Sequence, residues 1–76
     1  MPTPRRRPKD QLVLARFAFN LRLLRESKLL GVRQLARLAG ISYPMLRHIE
    51  REESLPSVTT YKALCKALNL PNPPLL

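Results

Sequence analysis

The stretch QLARLAGISYPMLRHIE, residues 34–50, places leucine or isoleucine at positions 35, 38, 41, 46 and 49 around one central glycine. Apolar residues at spacings of three and four predict two short helices here, at residues 32–39 and at about residues 42–51. Gly40 lies between them, where its missing Cβ suits the left-handed residue that ends a helix. Five side chains are expected to join the two helices: Leu35, Ala36, Ala39, Leu46 and Ile49. The stretch therefore predicts a helix-turn-helix in which Gly40 makes the turn.

Two further helices are predicted, one on each side of this pair. The first is expected to start at Asp10, an N-cap residue shortly after Pro8, and to end near Lys28. The last follows Pro56 and has Ser57 as its N-cap. The apolar stripe of the first helix consists of Leu14, Phe17, Leu21 and Leu24, and that of the last consists of Val58, Tyr61, Leu64, Cys65 and Leu68. These patterns predict an all-α fold, a compact four-helix bundle.

Proline occurs mainly near the two ends of the chain and interrupts the centre only at positions 44 and 56. It therefore separates two tails from a helical middle. We expect a flexible basic arm at residues 1–9, one helical domain at residues 10–70 and a proline-rich tail at residues 71–76.

The scarcity of reactive side chains excludes several classes of function. Cys65 is the single cysteine and His48 the single histidine, so one chain can form neither a disulfide nor a four-ligand zinc site. No nucleophile stands at motif spacing from a base, and we predict no enzyme, no cofactor and no metal. No apolar run is long enough to span a membrane. The first helix is the one candidate for contact with a membrane surface, but its apolar stripe is expected to face the core.

The charge of the chain indicates the chemistry of its partner. Fourteen lysines and arginines against five acidic residues give a net charge of +9 over 76 residues, with the positive excess in the first half. A surplus this large in so short a chain favours an anionic partner over a merely basic surface.

Four blocks of sequence occur in the order typical of one family: LRLLRESKLL (21–30), QLARLAGIS (34–42), LRHIER (46–51) and PSVTTYKALCKAL (56–68). Through them, residues 17–70 resemble the Cro and phage-repressor (XRE-like) helix-turn-helix, a DNA-binding domain of bacteria and phages. The resemblance implies a lambda-repressor-like bundle of four or five helices with double-stranded DNA as its partner. It also implies a bacterial or phage-encoded protein in the cytoplasm, associated with the nucleoid.

The resemblance implies that the third helix lies in the major groove of DNA. Five residues match the positions of base contacts: Tyr43, Pro44, Met45, Arg47 and His48. Arg47 is the best candidate, because a guanidinium can bridge N7 and O6 of a guanine. The alternative is a solvated arginine paired with nearby acidic groups. His48 either donates to the DNA or is simply exposed, Tyr43 either reaches a phosphate or packs beside the turn, and Pro44 with Met45 indicates A·T content.

Other residues are expected to contact phosphates or the minor groove: Arg5, Arg6, Arg7, Arg22, Arg33 and Ser42. Two interpretations of the arginine triplet stay open, an arm that enters the minor groove and a tail that attracts phosphates diffusely. The resemblance also implies a structural ion pair between Arg25 and Glu50, which ties the first helix to the end of the third.

The chain departs from the family pattern at the start of its second helix. The family commonly has glutamine at the position of Val32, where the amide reaches a phosphate. Valine cannot make this contact, so we expect it to be lost or to pass to the Val32 backbone N–H or to Arg33.

Two turns and one cap also depart from the pattern. Glycine is usual where Leu29 and Glu52 stand, so both turns are expected to be made differently, the first with Gly31 absorbing the bend. Pro44 favours the first helical position, which would make Tyr43 the N-cap in place of Ser42.

Taken together, these residues predict a sequence-specific DNA-binding transcriptional regulator, a repressor, that binds a palindromic operator as a homodimer. Helix four and the apolar ending (Leu70, Leu75 and Leu76) are candidates for the dimer surface, and the rival use of these leucines is to cover the domain's own core. The alternative function is an antitoxin-like or phage interaction module that uses the same scaffold to bind a protein.

Overall fold

The computed structural model describes residues 8–70 of the chain, and the side chains of residues 11–70. Within that part the chain forms four helices and no strand: α1 (Pro8–Ser27), α2 (Val32–Ala39), α3 (Tyr43–Glu50) and α4 (Val58–Ala67). The predicted all-α, four-helix architecture is confirmed. No helix among the described residues combines the length and the apolar character that crossing a membrane requires.

The start of α1 differs from the prediction. The helix begins at Pro8, so Asp10 lies within the first turn and is not the N-cap. Proline fits this position because its fixed φ suits the first turn and because the N–H groups of the first turn have no intrahelical acceptor. Residues 8 and 9, assigned to the arm from the sequence, therefore belong to the helix.

One continuous core joins the four helices. Its largest fully buried side chains are Phe17, Leu21, Leu35, Leu46, Ile49, Leu64 and Leu68. All of them were predicted to face the core. Val58 was also predicted to do so, but it is 72% exposed. Val58 is the first residue of α4, and helical side chains lean towards the N-terminus, so this one projects past the end of the bundle.

All four helices end in the same hydrogen-bond pattern, the Schellman motif. After α2, for example, Gly40 N–H donates to the Arg37 carbonyl at 3.2 Å and Ile41 N–H donates to the Ala36 carbonyl at 3.0 Å. The residue at the bend has positive φ each time: Leu29 (58°), Gly40 (71°), Glu52 (64°) and Asn69 (59°). Gly40 therefore ends α2 in the left-handed conformation predicted from the sequence.

The expectation that Leu29 and Glu52 make their turns differently from glycine is wrong. Both residues adopt the left-handed conformation themselves, and Gly31 has φ −78°, which any residue adopts. The Leu29 bend is closed by Leu30 N–H, which donates to the Arg25 carbonyl at 3.1 Å. The geometry of the motif is retained, and the backbone strain at a residue with a Cβ is the cost.

Leu29→Gly is expected to stabilise the protein by about 1 kcal/mol, because glycine adopts positive φ without a steric penalty. The Leu29 side chain is 90% exposed, so its removal loses almost no packing. Leu38→Gly is the matched control: Leu38 is 60% exposed inside α2, where glycine costs about 1 kcal/mol. Urea unfolding, monitored by circular dichroism, measures both changes. If the urea concentration at the midpoint of unfolding for Leu29→Gly is equal to or below that of the parent, the backbone at Leu29 is not strained.

The residue after each bend faces the core in three of the four motifs. Leu30, Ile41 and Leu70 all pack against the buried cluster. Leu70 therefore covers the domain's own core, the second of the two roles considered for it, and is no longer a candidate for the dimer surface. Leu75 and Leu76 lie outside the described residues.

The start of α3 also corrects a prediction. Ser42 is the N-cap, and its Oγ accepts the Met45 backbone N–H at 3.1 Å. Tyr43 is the first helical residue and Pro44 the second, so Tyr43 does not replace the serine as cap. Proline is tolerated at the second position because the N–H that it lacks would have no acceptor within the helix.

Candidate nucleic-acid interface

Helix α3 buries one side and leaves the other open. Leu46, Ile49 and Glu50 are buried against the core. The opposite side presents Pro44, Met45, Arg47, His48 and Arg51, all of which are exposed. Four of the five predicted base contacts thus lie on one exposed face, and Tyr43 is half-buried at its start. No described part of the chain covers this face.

The Tyr43 ring contacts two arginines from different helices. The guanidinium carbon of Arg33, on α2, lies 4.3 Å from the centroid of the Tyr43 ring. That of Arg47, on α3, lies 5.9 Å from it. Both distances fall within the range of cation–π attraction. The ring therefore holds two guanidinium groups together at the start of the exposed face, an arrangement that the sequence spacing did not reveal.

His48 is held by an acidic residue from the turn after α3. Its Nδ1 lies 2.5 Å from Oε1 of Glu53, and Arg51 Nε lies 3.7 Å from the other oxygen of the same carboxylate. His48 is the third residue from the end of α3, and Glu53 directly follows the bend at Glu52. In a Schellman motif the side chains at these two positions commonly form an apolar contact, and here they form a polar one. Only Nε2 of His48 remains for a partner molecule, so this residue is a weaker candidate for a base contact than Arg47.

Met45 and Ser42 have contacts within the protein. The Thr60 hydroxyl donates to Met45 Sδ at 3.9 Å, which directs part of the Met45 side chain towards α4. Met45 is still 44% exposed. Ser42 Oγ is engaged as the N-cap acceptor, although its hydroxyl proton is free to donate.

Arg25 and Glu50 anchor the end of α3 to α1. Arg25 Nε donates to Glu50 Oε2 at 2.7 Å and Arg25 Nη2 to Oε1 at 3.0 Å, a bidentate pair. Arg25 Nη1 also donates to the Leu30 carbonyl at 2.8 Å. The two side chains are only 11% and 6% exposed. This geometry fixes the direction in which α3 leaves the bundle.

Arg22 contributes to the same junction. Its Nη1 donates to the Glu50 backbone carbonyl at 2.8 Å, one of the carbonyls at the end of α3 that lack an intrahelical donor. The sequence had suggested Arg22 only as a phosphate contact. A bidentate pair plus a capped carbonyl makes the junction stiffer than one ion pair alone.

Gln34 was not identified from the sequence as a structural residue. Its Oε1 accepts the Gly31 backbone N–H at 2.7 Å, which caps the start of α2. The signal was present, since glutamine at the third helical position commonly bonds back to the residue before the helix. Val32 at the start of the same helix is half-buried against the core.

The remaining predicted contacts, Arg5, Arg6 and Arg7, lie outside the described residues. Cys65 is buried in the core, and burial raises the pKa of its thiol, which a hydrogen bond with Tyr61 only partly offsets. The thiol is therefore protonated and unreactive at neutral pH.

Comparison with known proteins agrees with this geometry. The profile of the HTH_3 family, described as helix-turn-helix, matches residues 21–71. The chain is also similar to the crystal structure of an HTH_3 family transcriptional regulator from Vibrio cholerae, with a TM-score of 0.74 and 35% identity over 79% of this chain. The match spans 34% of that longer chain. No curated protein sequence matches significantly. The chain therefore belongs to the HTH_3 family of helix-turn-helix proteins.

Proposed function

We propose that this protein is a sequence-specific DNA-binding regulator of transcription that inserts α3 into the major groove of double-stranded DNA. The observation that carries the proposal is the exposed face of α3, which is uncovered and begins with two arginines on one tyrosine ring. An α-helix fits the width of the major groove. The net charge of +9 supplies the attraction to phosphates, and the similar Vibrio cholerae protein is named as a transcriptional regulator.

Arg47 is the proposed base reader. It is exposed, and among the described residues no acidic side chain forms an ion pair with it, so its N–H groups can bind a guanine edge. The Tyr43 ring limits the rotamers that Arg47 adopts before binding, which lowers the entropy lost on contact. Pro44 and Met45 would add apolar contacts with thymine methyl groups, and His48 a contact through Nε2.

The proposed phosphate contacts come from both helices of the pair and from the arm. Arg33 lies at the start of α2 against the Tyr43 ring, where it takes over the role that Val32 cannot fill. Ser42 offers its hydroxyl proton, and Arg22 its donors not used by Glu50. Arg5, Arg6 and Arg7 directly precede α1, and we propose that they add phosphate or minor-groove contacts.

The mode of action follows from size and symmetry. One helix of eight residues reads few base pairs, so we propose a homodimer on a palindromic operator with half-sites about one helical turn apart. A protein that occupies the groove blocks others from it, and repression is the proposed outcome. Such a protein would act on the nucleoid, in the cytoplasm of a bacterium.

The salt dependence of binding tests the phosphate contacts. Fluorescence anisotropy with a labelled duplex measures the association constant at several salt concentrations. The logarithm of this constant is expected to fall linearly with the logarithm of the salt concentration, with a slope of about −0.9 for each phosphate contact. Replacing Arg5, Arg6 and Arg7 by alanine is expected to weaken binding to all duplexes alike and to flatten the slope by about 2 to 3. An unchanged slope would remove the arm from the interface.

The alternative, a module that binds a protein partner, would use surfaces away from α3. The exposed apolar side chains of α1, Leu12, Phe19 and Leu23, form such a surface. If duplex DNA of any sequence fails to bind at low salt while a protein partner binds a surface away from α3, the regulator proposal is wrong.

A further inference from the structure

Helix α1 has an exposed apolar stripe in addition to the one that faces the core. Leu12 is 68% exposed, and Phe19 and Leu23 are each 57% exposed. The core-facing residues of the same helix, including Phe17 and Leu21, are fully buried. The predicted stripe of α1 does face the core, and the exposed residues form a second apolar stripe that was not predicted from the sequence. No described residue covers the second stripe.

The exposed stripe has the spacing of a coiled-coil seam. Its members, at intervals of four, three, four and three residues, are Leu12, Arg16, Phe19, Leu23 and Glu26. This is the repeat by which one helix packs lengthwise against another. Arg16 is exposed and Glu26 is 67% exposed, with Arg25 Nη2 at 3.9 Å as its nearest charged partner. Both charges are therefore open to a new partner.

The order of these residues is complementary to itself when reversed. If two copies pack antiparallel about a two-fold axis near Leu21, Phe19 meets Leu23 of the copy and Arg16 meets Glu26 of the copy. Each contact occurs twice by symmetry. Leu12 then faces the end of the other α1, near Leu30. A parallel arrangement would instead place Arg16 against Arg16 and Glu26 against Glu26.

We infer that the outer face of α1 is a homodimer interface formed by an antiparallel pair of α1 helices. The inference deepens the proposed dimeric mode and rests on it, but its test needs no DNA. The interface shares no residue with the exposed face of α3. It replaces helix four as the dimer surface.

The size of the stripe sets the expected affinity. A 20-residue helix is about 30 Å long, so a lengthwise pair buries on the order of several hundred Å² on each copy. This is the low end of specific interfaces, and the net charge of +9 on each copy opposes association. We expect a dissociation constant on the order of 10 μM, so operator binding assembles the dimer.

Reversal of the two charges tests the pairing by sedimentation equilibrium without DNA. Arg16→Glu places two like-charged pairs in the interface and is expected to weaken the dimer about tenfold. Glu26→Arg does the same. The double variant, Arg16→Glu with Glu26→Arg, restores both ion pairs in the opposite sense and is expected to return to within about threefold of the parent.

A matched control separates this effect from net charge. Lys62→Glu changes the charge by the same amount as Arg16→Glu, at an exposed position on α4. Less net charge reduces self-repulsion, so this control is expected to dimerise as well as the parent or slightly better. Phe19→Ser removes a half-exposed ring, and the chain is expected to stay folded by circular dichroism and to become monomeric.

Three results would overturn the inference. One is a parent chain that stays monomeric up to about 1 mM, well above the expected constant. Another is a dimer that Arg16→Glu leaves intact, since it would use a different surface. The third is a double variant no tighter than the single ones. A monomer that instead binds vesicles of anionic lipid through Phe19 would assign the stripe to a membrane. Failure of DNA binding with an intact α1 dimer would count against the proposed function alone.

Discussion

Arg25→Met is expected to destabilise the fold by about 3–5 kcal/mol, the cost of leaving one member of a buried ion pair without its partner. The Glu50 carboxylate would lose both of its arginine bonds, and the Leu30 carbonyl would lose its donor. Methionine retains the apolar stem, so the loss is mainly electrostatic. A loss of this size approaches the whole stability of a small domain. Thermal unfolding at low protein concentration measures it.

Arg51→Met is the matched control for this change. Arg51 lies 3.7 Å from Glu53 in an exposed pair, with the two side chains 61% and 44% exposed. Exposed pairs contribute about 0–1 kcal/mol, so this variant is expected to unfold close to the parent. Arg25→Lys is a second variant that retains the positive charge but cannot form the bidentate pair. Its loss of stability should lie between those of Arg25→Met and Arg51→Met. Equal losses for the two methionine variants would show that the junction does not hold α3.

Arg47→Ala is expected to abolish preference at one position of the bound site while leaving the fold intact. A bidentate contact between arginine and guanine contributes about 1–3 kcal/mol of discrimination, or roughly 5- to 150-fold in affinity. With the parent, replacing that guanine should weaken binding by this factor. With the variant, all four base pairs should bind alike. Competition binding with the four duplexes measures the effect in a complete double-mutant cycle.

The alanine triplet in the arm is the control for this experiment. It removes phosphate contacts, so it is expected to lower affinity for all four duplexes by the same factor. Arg47 is exposed, and circular dichroism of the Arg47→Ala variant should match the parent. If the variant keeps the parent's preference among the four base pairs, Arg47 is a solvated side chain and another residue reads the site.

The helices were predictable because each has a local signal. Gly40 ends α2, Ser57 caps α4, and the apolar spacing places Phe17, Leu35 and Leu64 in the core. The start of α1 was less predictable because Pro8 and Asp10 are both good first-turn residues, and the structure uses the earlier one.

The turns show what local signals cannot provide. Leu29 and Glu52 are poor residues for positive φ, so both turns were expected to be made differently, the first with Gly31 absorbing the bend. Packing decides the matter at Leu29, because Leu30 must face the core and Arg25 must reach its carbonyl. Tertiary contacts outweigh the strain at one residue.

The candidate interface was predictable as a face but not as a network. The resemblance identified Tyr43, Arg47 and His48, and helical spacing puts the last two on the exposed side. The stacking of Arg33 on Tyr43 joins two helices across the turn and depends on their crossing, which no spacing encodes. The contact of His48 with Glu53 likewise depends on the bend at residue 52.

Selection of bound duplexes from a random DNA pool tests the major-groove assignment of α3 most directly. The parent protein is expected to enrich a short half-site that contains a guanine, repeated with inverted symmetry about one helical turn away. Chemical protection of that guanine at N7 should follow when the protein binds. A pool that emerges with no preferred sequence, or a guanine N7 that stays fully reactive in the bound duplex, would contradict the account.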